Sequence, residues 1–211
     1  IVCEILGILE GYPLRDLGFR SAQAVHYQIE AMRHAYVDRN SYLGDPDFVR
    51  NPTERLLDKG YAAKIRAAID PVRAGVSGDI KPGVAPHEGT NTTHYSIVDK
   101  DGNAVAVTYT LNEWFGARVT VATTGILMND EMDDFTVKPG VPNFYGLVQG
   151  EANSIAPGKR PLSSMAPTIV SRDGKPVLVI GAPGGGRIIT VIVHLILNTI
   201  DYGMNLQEAV D

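Results

Sequence analysis

Apolar residues recur at helical spacing along the first third of the chain. In "SAQAVHYQIEAMRHAYVDRN", residues 21–40, Ala24, Ile29, Met32 and Tyr36 fall near one face and Ser21 stands where an N-cap belongs, which predicts an amphipathic helix. The opening "IVCEILGILEGYPL" has the pattern of the tail of another helix, and the closing "MNLQEAVD" is helical again. "GDPDFVRNP" breaks the pattern with two prolines and a glycine and predicts a loop. "PTERLLDKGYAAKIRAAID" predicts two short helices, the first opened by Pro52. Residues 71–91 hold prolines and glycines with little apolar periodicity, the mark of a long connector or a domain boundary.

From Thr92 onward the period shortens to that of strands. "THYSIVDKDGNAVAVTYTL" predicts a hairpin turning at Asp101-Gly102, and "PTIVSRDGKPVLVIGA" a second turning at Asp173-Gly174. Between them runs a long stretch rich in Gly, Pro and Asn, and long loops in compact domains are usually functional. "GAPGGGR" then joins the last strand to an apolar helix over 187–202. Helices, connector and antiparallel hairpins in that order predict an α+β layered fold.

Composition narrows the function classes. The 211 residues are 44% hydrophobic and 20% charged, enough for a proper core. A net charge of −5 and the absence of a basic stripe argue against a nucleic-acid partner. The longest apolar run, 188–200, is interrupted by polar residues and falls short of the ~20 residues a membrane span requires. Cys3 permits no internal disulfide and sits in an apolar stretch, where a structural role is expected. The start lacks the pattern of a signal peptide. Both ends stop within helical patterns, as expected of a piece of a longer protein.

Several motifs carry candidate chemistry. Gly181-Ala182-Pro183-Gly184-Gly185-Gly186-Arg187 lies between strand and helix, where backbone N–H groups attract an anion or an oxyanion. It lacks the Gly-Lys-Ser/Thr of a P-loop and the spacing of a dinucleotide fingerprint, and a plain tight turn is the ordinary alternative. Glu131-Met132-Asp133-Asp134 can hold an ammonium group by charge-assisted hydrogen bonds, or be a solvated acidic loop. A metal is disfavoured there, since no histidine lies near and the calcium-loop spacing is missing. Ser163-Ser164 can donate to a carboxylate, although serine pairs are common in loops. His26, His34, His87, His94 and His194 form no metal-binding spacing, and His194 reads as a satisfied core histidine. Thr92 is the sharper candidate. A threonine becomes a competent nucleophile when cleavage in front of it frees its α-amine to act as base, and here a loop-like segment precedes it and a strand begins with it.

"YLGDPDFV", "TTHYSIVDKDGNAVAVTYTLN", "GILMNDEMDDF", "KPGVPNFYGLV", "KRPLSSMAPTIV" and "GAPGGGRIIT", in this order, resemble the γ-glutamyltransferase family, the γ-glutamyl transpeptidases or glutathione hydrolases of the N-terminal nucleophile superfamily. The resemblance implies a four-layer αββα sandwich. Residues 1–91 are similar to the end of the large subunit and 92–211 to most of the small subunit, with the large subunit's N-terminal part and the small subunit's C-terminal end missing. It implies self-cleavage of the Asn91–Thr92 bond into a heterodimer, with Thr92 as nucleophile and Thr110 hydrogen-bonding it. Asn112, Glu131 and Asp134 would contact the donor's α-amino group, Ser163 and Ser164 its α-carboxylate, and Gly184 and Gly185 would supply the oxyanion hole. "PGVPNFYG" at 139–146 fits a lid loop with Tyr145 at the gating position. The implied donors are glutathione and other γ-glutamyl compounds, the acceptors water, amino acids or dipeptides, with no cofactor or metal; a bacterial source implies the periplasm or secretion. One feature of the family is absent: its arginine on the α-carboxylate lies far upstream, and no arginine here matches that motif. The alternatives are a related acylase (cephalosporin or glutaryl), a poly-γ-glutamate transpeptidase, and a non-catalytic binding module on the same fold.

Overall fold

Helix α1 (Val2–Leu9) and the short α2 (Leu14–Leu17) open the computed structural model, which describes residues 1–76 and 92–211. Helix α3 (Ala22–Tyr42) starts at the expected cap: the Ser21 hydroxyl accepts from the Ala24 amide at 3.1 Å. Its buried stripe differs from the predicted one. Ala24, Gln28, Ala31, Ala35 and Asp38 are buried, with Glu30 and Arg39 beside them, while Ile29 is 50% exposed. Small residues admit neighbouring helices and polar ones are buried in hydrogen bonds, so a stripe of this kind leaves little hydrophobic signal. After the predicted loop come α4 (Thr53–Leu56), with Pro52 at its N-cap, and α5 (Lys59–Ala68), capped by Asp58.

Both predicted hairpins are present. Strands β1 (Thr93–Val98) and β2 (Ala104–Tyr109) pair antiparallel from Thr93↔Tyr109 to Val98↔Ala104. Strands β3 (Thr168–Arg172) and β4 (Lys175–Ile180) turn through Asp173 (φ 52°) and Gly174 (φ 75°), the left-handed pair a two-residue hairpin turn demands. The ladder shifts between Val170 and Ser171, where Pro176 stands opposite without an amide to donate. The strand run begins one residue after Thr92, so the candidate nucleophile stands at the mouth of β1 instead of within it.

Helix α6 (Ile188–Ile196) continues through a π-helical turn, Leu197–Asp201, and a capping box at Asn205 and Glu208 starts α7 (Leu206–Val210). Helix α6 is apolar nearly all round because it is covered on two sides. Ile189 and Val193 join Ile5, Ile8, Ala31, Ala35 and Ile65 in one cluster, while Ile188, Ile192 and Ile196 join Ile180 and Ala182 in another beneath the second hairpin. Residues before and after the connector therefore share one core. One minor expectation fails: His194 projects from the uncovered side of α6; Cys3 lies on the exposed side of α1. The architecture is α+β, as predicted. Among the described residues no helix is long and apolar enough to cross a membrane.

Candidate active site

The β1–β2 register sets the first pair of side chains. Because Thr93 pairs with Tyr109 at the end of the ladder, Thr92 just before β1 and Thr110 just after β2 come out at the same end of the hairpin. The Thr110 hydroxyl accepts from the Asn112 amide at 2.9 Å, which leaves its own proton to donate. Asn112 is buried and sits at φ 78°, a left-handed conformation that asparagine tolerates better than most residues. Its Nδ2 donates to the Asp130 carbonyl at 3.2 Å, and its Oδ1 accepts from the Tyr145 hydroxyl. Tyr145 is 3% exposed, so the proposed lid residue is fastened down over Asn112.

The acidic motif is a single 3-10 turn, Glu131–Asp134. Buried Phe135 and Thr136 anchor its C-terminal side, and Asn153 donates to the Asp134 carbonyl at 2.8 Å. Burial, reinforced by a hydrogen bond to Asp134 and by its charge, pushes the Glu131 carboxyl up to about 8. Burial also raises Asp134, against the hydrogen bond from Glu131 and the charge of Arg39, which pull it down. The two carboxyls thus hold a proton between them, carried by Glu131, as two like groups do when one site cannot keep both ionised. A carboxyl pair of this kind offers a charge-assisted site for an ammonium group, which would displace that proton.

Ser163 and Ser164 come from the segment before β3. The Ser163 hydroxyl accepts from the Met165 amide at 3.0 Å, and the Ser164 hydroxyl accepts from Arg39 Nη2 at 2.9 Å. The same segment is stapled to the loop after α3: Arg160 donates through Nε and Nη2 to Asp45 at 3.0 and 2.5 Å, and its amide donates to Asp45 at 2.8 Å. These donors hold the Asp45 carboxyl well below the usual carboxylate range.

The glycine-rich turn completes the cleft. Gly184 (φ 134°) and Gly185 (φ 53°) occupy conformations that favour glycine, and the Arg187 amide closes the turn on the Gly184 carbonyl at 3.0 Å. Tyr36 of α3 donates to the Gly186 carbonyl at 2.6 Å, and burial pushes its hydroxyl up to about 12. Before the turn, the His94 ring lies where a side chain on Gly181 would stand, 2.0 Å from an added Cβ. That ring is held by Thr108 and Ser96, each at 2.9 Å.

One cleft, with about 30 Å³ of free space, is lined by Thr92, Thr110, Asn112, Glu131, Asp134, Tyr145, Ser163, Ser164 and Gly185 together with Leu147, Met165, Gly186 and Ile188. Of the residues predicted for the site, Gly184 stands outside the lining and Gly186 takes that place, while Asn91 lies outside the described residues. Motif reading missed the supports behind the cleft: Tyr36, Arg39 and the Asp45–Arg160 staple. A signal for them existed. Tyr36 and Arg39 are bulky polar residues one turn apart on a helix whose buried apolar positions are all alanines. No group of three or more potential metal ligands occurs among the described residues.

Residues 1–211 match the family model described as Gamma-glutamyltranspeptidase. A "Glutathione hydrolase proenzyme" of Pseudomonas sp. (strain A14) is 74% identical over 211 residues, 100% of this chain and 37% of the relative. Another, of Escherichia coli (strain K12), is 56% identical over 99% of this chain and 36% of its own length. An "Acylase ACY 1 proenzyme" of Pseudomonas sp. (strain SE83) is 40% identical over 100% of this chain and 35% of its length. Among solved structures, cephalosporin acylase from Bacillus halodurans superposes with a TM-score of 0.76 at 28% identity, over 99% of this chain and 35% of that one. Gamma-glutamyltranspeptidase from Pseudomonas nitroreducens complexed with L-DON gives 0.54 at 58% identity, over 56% and 61%. Fold and cleft together define the class as that of the N-terminal nucleophile hydrolases. Within it, the chain belongs to the gamma-glutamyltranspeptidase family. It spans little more than a third of the length of the curated relatives it matches.

Proposed function

We propose that the full-length protein is a γ-glutamyltransferase and glutathione hydrolase that cuts its own chain between Asn91 and Thr92. The single observation that carries this reading is the convergence of Thr92, the Glu131–Asp134 carboxyl pair, the Ser163–Ser164 hydroxyls and Gly185 on one cleft. A γ-glutamyl donor has a zwitterion at one end and a scissile amide at the other. Carboxylates take the ammonium, hydroxyls take the carboxylate, and the amide carbonyl is left between the nucleophile and the backbone N–H groups of the glycine turn.

The chemistry balances in two halves. The Thr92 oxygen attacks the γ-carbonyl and its proton passes to the freed α-amine; Thr110 donates to that oxygen and orients it. Collapse of the tetrahedral species breaks the C–N bond, and the amine leaves with the proton. Water then attacks the γ-glutamyl ester and releases glutamate, or an amino-acid or dipeptide amine attacks and forms a new γ-glutamyl amide. No cofactor is required. In this reading residues 1–91 end the large subunit and 92–211 form most of the small one, the pair completing a four-layer αββα sandwich, and a bacterial source places the enzyme in the periplasm or outside the cell.

Two assays on full-length protein test the reading. N-terminal sequencing of mature protein should find a chain beginning at Thr92, and p-nitroaniline should be released from γ-glutamyl-p-nitroanilide; Thr92→Ala should abolish both. An intact, inert wild type would leave the binding-module alternative. The second reading, an acylase, is favoured by the likeness to the Bacillus halodurans structure over 99% of the chain. A glutaryl group lacks the α-ammonium, so faster turnover of glutaryl-cephalosporin than of the γ-glutamyl donor would select it.

A further inference from the structure

Arg39 is 1% exposed and lies on the last full turn of α3, on the far side of the serine pair from the cleft. Its Nη2 donates to the Ser164 hydroxyl at 2.9 Å and reaches the carbonyls of Leu162 and Ser163 at 3.4 and 3.5 Å; its Nη1 donates to Asn40 at 3.2 Å. No carboxylate forms a direct ion pair with it among the described residues, and Asp134 acts on it only through space. Burying a guanidinium without an ion-pair partner is expensive unless its hydrogen bonds do something specific.

We infer that Arg39 is the positioning residue for the donor's α-carboxylate, acting through Ser164 from behind the cleft. The inference rests on the proposed γ-glutamyl activity. A guanidinium that donates to a hydroxyl oxygen occupies one of its lone pairs and polarises the O–H, so Ser164 becomes a stronger donor towards the cleft. The buried positive charge then stands one hydroxyl away from the incoming carboxylate. The same charge acts through space on Asp134 of the ammonium subsite and lowers it, against burial and the charges of Asp133 and Asp130, which raise it; Glu131, which carries the proton, and the phenol of Tyr145 face the same carboxyl. Arg39 touches neither the substrate nor the reacting atoms.

The test uses the full-length mature enzyme and competitive inhibition by two small acids. L-glutamate carries the α-carboxylate and 4-aminobutanoate lacks it. Arg39→Gln should raise the inhibition constant of L-glutamate, and the KM of γ-glutamyl-p-nitroanilide, by roughly tenfold to a hundredfold, the range of a lost hydrogen bond to a charged group. The constant for 4-aminobutanoate should stay within about threefold, and kcat should fall much less than KM rises. Arg39→Lys keeps the charge without the fork and should recover part of the loss; it also provides the reading if the glutamine variant fails to mature. Equal weakening of both inhibitors, or no change in either, would overturn the inference and leave Arg39 a residue of the fold. A wild type that neither exposes Thr92 nor releases p-nitroaniline defeats the activity itself. An active wild type with inhibitor ratios unchanged in the variants defeats only the role of Arg39.

Discussion

At the scale of single residues the cleft sets two carboxyls, Glu131 and Asp134, opposite two hydroxyls, Ser163 and Ser164, and the proposed zwitterionic donor would need both. Glu131 and Asp134 share a proton in the free site because a partly buried turn cannot keep both ionised. With the Glu131 carboxyl raised to about 8, donor binding must expel that proton, so kcat/KM for the donor should climb with pH and level off above about 8. Glu131→Gln should flatten this limb while lowering the plateau; an unchanged limb in the variant would assign the titration elsewhere. Asp134→Ala should impair donor binding far more than self-cleavage, read as KM against the rate of appearance of the Thr92 N-terminus. Equal loss of both would make Asp134 a support of the fold.

At the scale of elements, helix α3 and the loop after it act as a jig for segments that come much later in the chain. Tyr36 holds the glycine turn through Gly186, Arg39 holds the serine pair, and Asp45 holds Arg160. Tyr36→Phe should therefore lower kcat by severalfold with little change in donor KM, since it loosens the glycine turn of the proposed oxyanion hole and not the proposed carboxylate side; steady-state kinetics on the full-length enzyme separate the two. The close approach at Gly181 gives a second expectation. A methyl group there meets the His94 imidazole, and overpacking of this kind costs about 1–3 kcal/mol. Gly181→Ala should lower the unfolding temperature, and His94→Ala in the same chain should restore part of it.

At the scale of the whole molecule, the connector divides the sequence but not the core, since α1, α3 and α6 bury their apolar faces together. One buried carboxyl in this region makes stability depend on pH. Glu4 is 2% exposed and no donor reaches either of its oxygens, so in the folded chain it is held as the acid. Burial first, then Asp38 beside it, raises its pKa from 4.5 to about 8. The raised folded value means that its contribution to stability is fully present below about pH 4.5 and is lost as the pH climbs through about 8. Denaturant midpoints of the full-length protein should fall over that window, and Glu4→Gln should remove most of the fall.

Much of this was legible in the residues themselves. Period-two alternation around Asp101-Gly102 and Asp173-Gly174 located both hairpins, and Ser21 and Pro52 located two helix starts, because turn and cap chemistry is local and each residue carries its own conformational preference. The cleft residues, too, announced themselves as short motifs of carboxylates, hydroxyls and glycines. What local pattern could not carry was the support. Ala24, Gln28, Ala31 and Ala35 form a buried stripe without hydrophobic contrast, and Ile29 faces solvent although its pattern placed it inside. His194 reads as core by its neighbours, yet the side of α6 it occupies is uncovered. The sequence by itself determined the elements, the family and the chemical groups on offer. Only the tertiary structure decided that Arg39 stands behind Ser164 across 125 positions of chain, because burial and hydrogen-bond partners are set by which distant segments pack together.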